Sequence, residues 1–184
     1  ANGITLIRGN GVITGEGTVN VDGEEYTAEN IVIATGSTPA KPPIKGLDLE
    51  GVITSDDLLE GEVKYDKSLI IIGGGVIGME FASVYASLGT EVTVIEAMDR
   101  VLPTLDREIS QNLSMILKKR GVKINTSAKV TEIIKIDDGS MKCCSEAKGK
   151  TGEATGERVL VAIGRRPHTE GLFGEGVEIE NERG

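Results

Sequence analysis

Hydrophobic positions fall along the chain in short runs whose character changes near residue 67. Before that point, Ile4–Arg8, Thr18–Val21 and Asn30–Ala34 are brief strand-like runs. Turn signals separate them at Gly9-Asn10-Gly11, Gly15-Glu16-Gly17 and Asp22-Gly23-Glu24. This pattern predicts an antiparallel meander, a piece too small to bury much by itself. Lys41-Pro42-Pro43-Ile44-Lys45-Gly46 predicts a linker, because two prolines continue neither a ladder nor a helix.

From Lys67 onward, strand and helix patterns alternate. Leu69-Ile70-Ile71-Ile72 is a continuous apolar run, as expected of a strand covered on both faces. Val76–Leu88 predicts a helix, stopped by Gly89-Thr90, and Glu91–Ile95 predicts the next strand. Leu105–Arg120 places Leu105, Ile109, Leu113, Ile116 and Leu117 on one helical face and ends in Lys118-Lys119-Arg120-Gly121. Basic residues there suit the negative end of the helix dipole, and Gly121 suits the left-handed residue that follows. Val122–Asn125, Val130–Ile136 and Arg158–Ile163 read as further strands. Met141–Ser145 reads as the return arm of a hairpin turning at Asp137-Asp138-Gly139. The expected fold class is α/β: a βαβ unit elaborated by a small antiparallel meander, with a β-rich segment ahead of it.

Candidate chemistry concentrates at Gly73-Gly74-Gly75-Val76-Ile77-Gly78, a G-x-G-x-x-G placed after the apolar strand and opening a helix. In that context Gly73 permits a tight turn, Gly75 allows a pyrophosphate to approach the backbone, and Gly78 lets helix and strand pack closely. Free N–H groups at the helix start then face the phosphates. The competing reading is a glycine-rich turn in an unrelated α/β domain. An acid is expected about 20 positions further on, and Glu96 stands there, closing the second strand. Its carboxylate would accept from ribose hydroxyls and repel a 2′-phosphate, which favours NAD(H) over NADP(H). Arg100 nearby is the opposing signal. The domain is therefore expected to be Rossmann-like.

Composition narrows the alternatives. The chain has 184 residues, 39% apolar and 27% charged, enough for one domain and part of another. A net charge of −9 disfavours nucleic acids and acidic membranes as partners, while leaving room for a dinucleotide held by backbone N–H groups. No run approaches the roughly 20 apolar residues of a membrane span. The N-terminus has neither a signal segment nor an initiator Met, as a processed or shortened chain would. Two adjacent cysteines build neither a disulfide framework nor a zinc pattern, and a reducing, cytoplasmic setting is expected.

With these motifs placed, the chain resembles the pyridine nucleotide–disulfide oxidoreductases, and most of all their dihydrolipoamide dehydrogenase branch. The resemblance rests on Ile33-Ala34-Thr35-Gly36-Ser37, on Gly73 to Gly78 with Met79-Glu80, on Val94-Ile95-Glu96 with Leu102-Pro103, and on Val161-Ala162-Ile163-Gly164-Arg165-Arg166-Pro167. It implies that Gly73, Gly74, Gly75, Val76, Ile77, Gly78, Glu80 and Glu96 hold NAD. It also implies Val130 beside the adenine, Gly164 near the nicotinamide, and Glu80 reaching toward nicotinamide and flavin. Gly11, Thr35, Gly36 and Ser37 would touch FAD in an intact enzyme. Residues 1–40 would belong to a flavin domain, 41–164 to the NAD(H) domain, and 165–184 to the return into the flavin domain.

The family's N-terminal FAD motif, its Cys-x-x-x-x-Cys, its second flavin motif and its C-terminal His–Glu pair are not found in this sequence. The chain by itself is thus expected to bind nucleotide and not to catalyse. An intact enzyme would reduce NAD+ with electrons from dihydrolipoamide through a disulfide and FAD. It would act as a homodimer and could serve a 2-oxoacid dehydrogenase complex. Mercuric reductase, NADH oxidase and transhydrogenase share the nucleotide domain and remain alternatives. A stand-alone NAD-sensing module is the alternative of another class, and it requires residues 1–40 to form a covered surface.

Three features are discounted. Cys143-Cys144 lacks the geometry of a flavin-facing dithiol and reads as two reduced thiols. His168 follows Arg165-Arg166-Pro167, where similar enzymes usually have asparagine, so no catalytic role is assigned to it. Glu146, Glu153 and Glu157 stand among lysines as a solvated face without metal-site spacing.

Overall fold

A computed structural model describes residues 2–61 and 66–182. In chain order the elements are β1 (Gly11–Gly15), β2 (Thr18–Val21), β3 (Glu24–Thr27), β4 (Ser37–Pro39), β5 (Val52–Thr54), α1 (Ser55–Glu60), β6 (Ser68–Ile72), α2 (Val76–Ser87) and β7 (Glu91–Ile95). They continue with α3 (Arg107–Lys119), β8 (Lys123–Asn125), β9 (Lys129–Lys135), β10 (Met141–Ala147), β11 (Lys150–Gly156), β12 (Arg158–Val161) and β13 (Arg165–Pro167). The chain divides into two compact units, one of Ala1–Thr38 with Arg166–Gly184 and one of Pro39–Arg165.

The larger unit has three layers, and the alternation along β6 explains them. Its parallel sheet has the order β5-β12-β6-β7-β8. Leu69 and Ile71 point to one face and pack with Met79, Ala82 and Leu117 of α2 and α3. Ile70 and Ile72 point to the other and pack with Ile133, Met141 and Cys143 of the antiparallel sheet β11-β10-β9. Successive strand residues face opposite sides, so a strand covered on both must be apolar throughout. From β6 the chain crosses through α2 to β7 on one side, and β12 later pairs with β6 on the other. The carboxyl end of β6 is therefore the point where the strand order reverses, the usual place for a crevice in such sheets.

In the smaller unit, β1, β2 and β3 form an antiparallel meander in which only Thr18–Val21 coincides with an expected strand. The segment at Phe173 runs beside β1: Ile13 donates to the Leu172 carbonyl at 2.8 Å and accepts from Gly174 at 2.8 Å. Ile13 is thereby buried.

Several sequence expectations are corrected. Ile4–Arg8 and Asn30–Ala34 are not strands, because their backbones join no ladder among the described residues. Their apolar side chains stay uncovered: Ile4 is 84% exposed and Val32 87%. The α3 face is narrower than its apolar stripe. Ser110 and Leu117 are buried and Leu113 packs on the core, whereas Ile109 and Ile116 remain about half exposed. Strand β11 has no signature in the sequence pattern, since Lys150–Gly156 shows no apolar alternation. Its signal is the turn Lys148-Gly149, where both residues have positive φ (51° and 76°) between the paired Ala147 and Lys150. Two left-handed residues closing an antiparallel pair make the primed hairpin turn that matches strand twist. Strand β5 and helix α1 add to the expected elements; α1 begins with a capping box in which Thr54 and Asp57 satisfy each other's backbone N–H.

The asymmetry of α3 is testable. Leu117→Ala should cost about 3 kcal/mol in urea unfolding. Ile116→Ala, one residue away, should cost less than about 1 kcal/mol. Equal costs would mean the helix buries a different line of residues.

Candidate functional site

The glycine turn is built on contacts that leave no room for side chains. Gly73 has φ +108°, and a Cβ there would lie 2.4 Å from the Ala162 carbonyl oxygen. A Cβ on Gly78 would lie 2.1 Å from the Gly73 carbonyl oxygen, so the first turn of α2 sits directly on the end of β6. Gly75 differs: a Cβ there would meet nothing within 4 Å. It is the N-cap of α2, and no side chain caps the helix. The helix start thus opens with its N–H groups toward free space, the arrangement that attracts anions.

Glu96 sits 7% exposed where β7 ends. One carboxylate oxygen accepts from the Gly74 N–H at 2.5 Å, the other from the Met98 N–H at 2.6 Å. The Leu102 N–H returns a bond of 2.7 Å to the Gly74 carbonyl. Gly74 is therefore clasped on both sides by the segment after β7, and this fixes the middle of the glycine turn. Each Glu96 oxygen keeps a second lone pair for a further donor.

These pieces border one cleft of about 890 Å3 at the carboxyl ends of β6, β7 and β12. Of the residues singled out in the sequence, Gly73, Gly75, Val76, Ile77, Glu96, Val130 and Gly164 line it. Gly74 and Gly78 support it from behind through the contacts above. Glu80 does not line this cleft; it borders a separate pocket of about 300 Å3 with Ser55, Phe81 and Arg165. The Arg165 guanidinium there reaches Asp56 at 2.5 Å and the Ser55 hydroxyl at 3.3 Å. That contact holds the Asp56 carboxyl below the usual carboxylate range.

Sequence reasoning missed several of the lining residues. Pro42, Pro43 and Ile44 form part of the wall, because Lys45 is tied to β9. The Ile133 N–H donates to the Lys45 carbonyl at 2.8 Å, and the Lys45 ammonium pairs with Glu132 at 2.5 Å. Arg100, the opposing signal for a 2′-phosphate, is not among the residues lining the cleft. Its guanidinium donates to the Pro103 carbonyl at 2.9 Å and lies 3.6 Å from Asp99. The lysine that does line the cleft is Lys129.

In the smaller unit, the Thr35 hydroxyl donates to the His168 carbonyl at 2.5 Å, and the His168 N–H donates to the Gly36 carbonyl at 3.0 Å. Gly36 has φ +75°, a conformation suited to glycine. His168 is thus exposed and engaged through its backbone. Gly11 opens β1 opposite Val21, and Ser37 opens β4. A groove of about 510 Å3 in this unit is lined by Ile13, Glu16, Ile31, Ile33 and Ile179, among others, and by none of Gly11, Thr35, Gly36 or Ser37.

The two cysteines occupy opposite faces of β10. Cys143 is fully buried against Ile133 and Met141. Burial, aided by the neighbouring Cys144, pushes its thiol up to about 12. Cys144 stands between Glu132 and Glu153 on the neighbouring strands. Among the described residues no group of three or more His, Cys, Asp or Glu side chains is arranged to hold a metal. No described helix is long and apolar enough to cross a membrane.

A family model described as pyridine nucleotide-disulphide oxidoreductase matches residues 1–184. A dihydrolipoyl dehydrogenase of Acholeplasma laidlawii is 39% identical over 183 residues, covering 97% of this chain and 53% of its own length. A dihydrolipoyl dehydrogenase of Thermus scotoductus is 41% identical over 187 residues, covering 100% of this chain and 40% of its own. Among solved structures, the Cu(II) complex of the HOCl-induced flavoprotein disulfide reductase RclA from Escherichia coli matches with a TM-score of 0.83 at 34% identity. It covers 100% of this chain and 41% of that one. A NAD-dependent persulfide reductase from A. fulgidus matches with a TM-score of 0.71 at 36% identity, covering 89% of this chain and 32% of that one. The chain spans about half or less of the length of these relatives.

The buried thiol makes a pH prediction. The Cys143 thiol ionises near 9.0 when unfolded and near 12 when folded, so the fold favours the protonated form. Its contribution is complete below pH 9.0 and is lost as pH rises toward 12. Urea midpoints should therefore fall over that range more steeply for the parent chain than for Cys143→Ala. Parallel slopes would show that Cys143 is not held protonated.

Proposed function

The chain belongs to the pyridine nucleotide-disulphide oxidoreductases, and from that premise we propose that its cleft is the NAD(H) seat of an FAD-dependent disulfide oxidoreductase. The observation that carries this reading is the meeting of an uncapped α2 N-terminus, an open Gly75 and the Glu96 carboxylate at one edge of the cleft. These residues fit a dinucleotide. The absent Cβ at Gly75 leaves space for a pyrophosphate to reach the backbone, and the first-turn N–H groups of Val76, Ile77 and Gly78 would meet its charge.

Glu96 would take the adenosine ribose on its two remaining lone pairs, with its orientation already set by Gly74 and Met98. A 2′-phosphate at the same place would face that carboxylate, and Arg100 is committed elsewhere. This supports NAD(H) over NADP(H). Val130 would line the adenine end and Gly164 the nicotinamide end. Glu80 would serve the nicotinamide and flavin region from its own pocket. When bound, the nicotinamide and flavin rings would supply two-electron transfer. The chain's own residues bind, orient and exclude competing charge.

Dihydrolipoamide is the substrate proposed for an intact enzyme, on the likeness to the Acholeplasma and Thermus dihydrolipoyl dehydrogenases. Such an enzyme would be a homodimer, able to serve a 2-oxoacid dehydrogenase complex. Gly11, Thr35, Gly36 and Ser37 would touch FAD there. The uncovered Ile4, Leu6 and Val32 favour a segment that packs against further protein over a self-contained sensing module. A cytoplasmic setting goes with this reading.

The test is a fluorescence titration of the chain with NADH and NADPH, which its lack of tryptophan simplifies. NADH should bind roughly tenfold tighter than NADPH, and Glu96→Ala should weaken NADH by a similar factor. Tighter binding of NADPH would overturn the role given to Glu96. Binding of neither would overturn the nucleotide reading of the cleft.

A further inference from the structure

Three charged side chains line the cleft: Glu96, Lys129 and Glu146. Glu96 is spoken for, but Lys129 and Glu146 have no role so far. They stand directly opposite each other in the β9–β10 register. Among the described residues neither makes an ion pair or a side-chain hydrogen bond. Two opposite charges thus share the cleft rim with their polar ends uncommitted.

A β-bulge puts them there. The β9–β10 register runs regularly from Met141↔Lys135 to Cys144↔Glu132, then shifts so that Ser145 faces Val130. Thr131 is the extra residue, and its hydroxyl donates to the Cys144 carbonyl at 3.3 Å. Through the bulge, Val130 and Ile133 both face the core although three positions separate them. An unbroken strand, with its two-residue alternation, would expose one of the pair. The bulge therefore keeps the core packed while bringing Lys129, Thr131 and Glu146 onto the cleft.

The order of the strands says which part of a ligand each would meet. The Ala128 N–H donates to the Glu96 carbonyl at 2.9 Å, so Lys129 follows immediately on the segment bound to Glu96. Glu146 is one strand further out, on β10. Given the dinucleotide reading proposed above, a sugar at Glu96 places its base along this wall. Lys129 would lie on the sugar-proximal side and Glu146 at the far edge. An ammonium only donates and a carboxylate only accepts. Adenine carries the acceptor N7 on its near side and the donating 6-amino group at its far edge. Hypoxanthine keeps N7 but replaces the amino group by a carbonyl.

We infer that Lys129 and Glu146 read the purine of the dinucleotide, with Lys129 donating to the ring nitrogen and Glu146 selecting a 6-amino group over a 6-oxo group. Glu146 is the residue that discriminates, because a carboxylate facing a carbonyl leaves two acceptors opposed. Lys129 strengthens binding of both purines alike.

The experiment compares NADH with its hypoxanthine analogue by fluorescence titration of the chain, Glu146→Gln and Lys129→Ala. The parent chain should prefer NADH by roughly tenfold. Glu146→Gln, whose amide can donate to a 6-oxo group, should bring the two ligands to within about twofold. Lys129→Ala should weaken both equally and keep their ratio. The inference is overturned if the parent chain binds both ligands alike, or if the preference survives in Glu146→Gln while NADH still binds. Failure of the parent chain to bind either ligand overturns the dinucleotide reading beneath it, a result distinct from an unchanged ratio.

Discussion

The approach of Gly78 to the Gly73 carbonyl is the constraint on which the site depends. A methyl group in that gap would stand 2.1 Å from a backbone oxygen, so helix and strand meet without any side chain between them. This contact fixes where α2 begins and therefore where its unpaired N–H groups point. A bulkier residue would force the helix away from β6, and the anion-attracting end would leave the crevice. The Glu96 clasp on Gly74 is the complement. It holds the loop from the outside, while the Gly73–Gly78 contact holds it from within.

The second wall of the cleft comes from a different layer. Ile70 and Ile72 of β6 pack on the antiparallel sheet, and that sheet supplies Val130 to the crevice. One strand therefore sets both walls: its tip carries the glycine turn, and its underside seats the sheet opposite. The linker at Pro42–Ile44 joins this wall because Lys45 is bonded to β9 through its carbonyl and its ammonium. Removing polar backbone from solvent needs such partners, which is why a proline-rich segment can serve as a wall here.

Much of this was legible in the sequence, and the reason is locality. Leu69–Ile72, the glycine turn, α2 and β7 lie within 30 consecutive positions, and their periods and glycine spacing require no knowledge of the rest of the chain. The elements that the sequence pattern does not mark depend on pairing. Residues 150–156 are polar and glycine-containing, and become strand β11 only because Lys148 and Gly149 turn them back onto β10. The bulge at Thr131 lies in a segment that reads as an ordinary strand, and only the spacing of Val130 and Ile133 hints at it. Conversely, Ile4–Arg8 and Asn30–Ala34 have strand-like composition without a neighbour to complete a ladder. Composition marks a residue's tendency, and a hydrogen-bonded partner decides the element. The apolar stripe of α3 misled in the same way, since Ile109 and Ile116 match the period but not the contact.

Charge acts on this cleft at two ranges. A chain of net charge −9 is a poor partner for polyanions in general, yet the ligand proposed for the cleft bears two phosphates. The contradiction disappears once range is considered. Exposed charges beyond about 10 Å are screened by salt, whereas N–H dipoles at a helix start act at hydrogen-bond distance. The net charge is therefore damped at a distance, and the N–H groups of the glycine turn decide what an anion would meet at contact. On the reading proposed above, Glu96 would disfavour an additional phosphate inside the cleft. Lys129 stands on the adjoining wall, and Glu146 opposite offsets its charge. A lone lysine there would draw in any phosphate; balanced by a carboxylate, it would favour a neutral ring, in keeping with the purine reading inferred above.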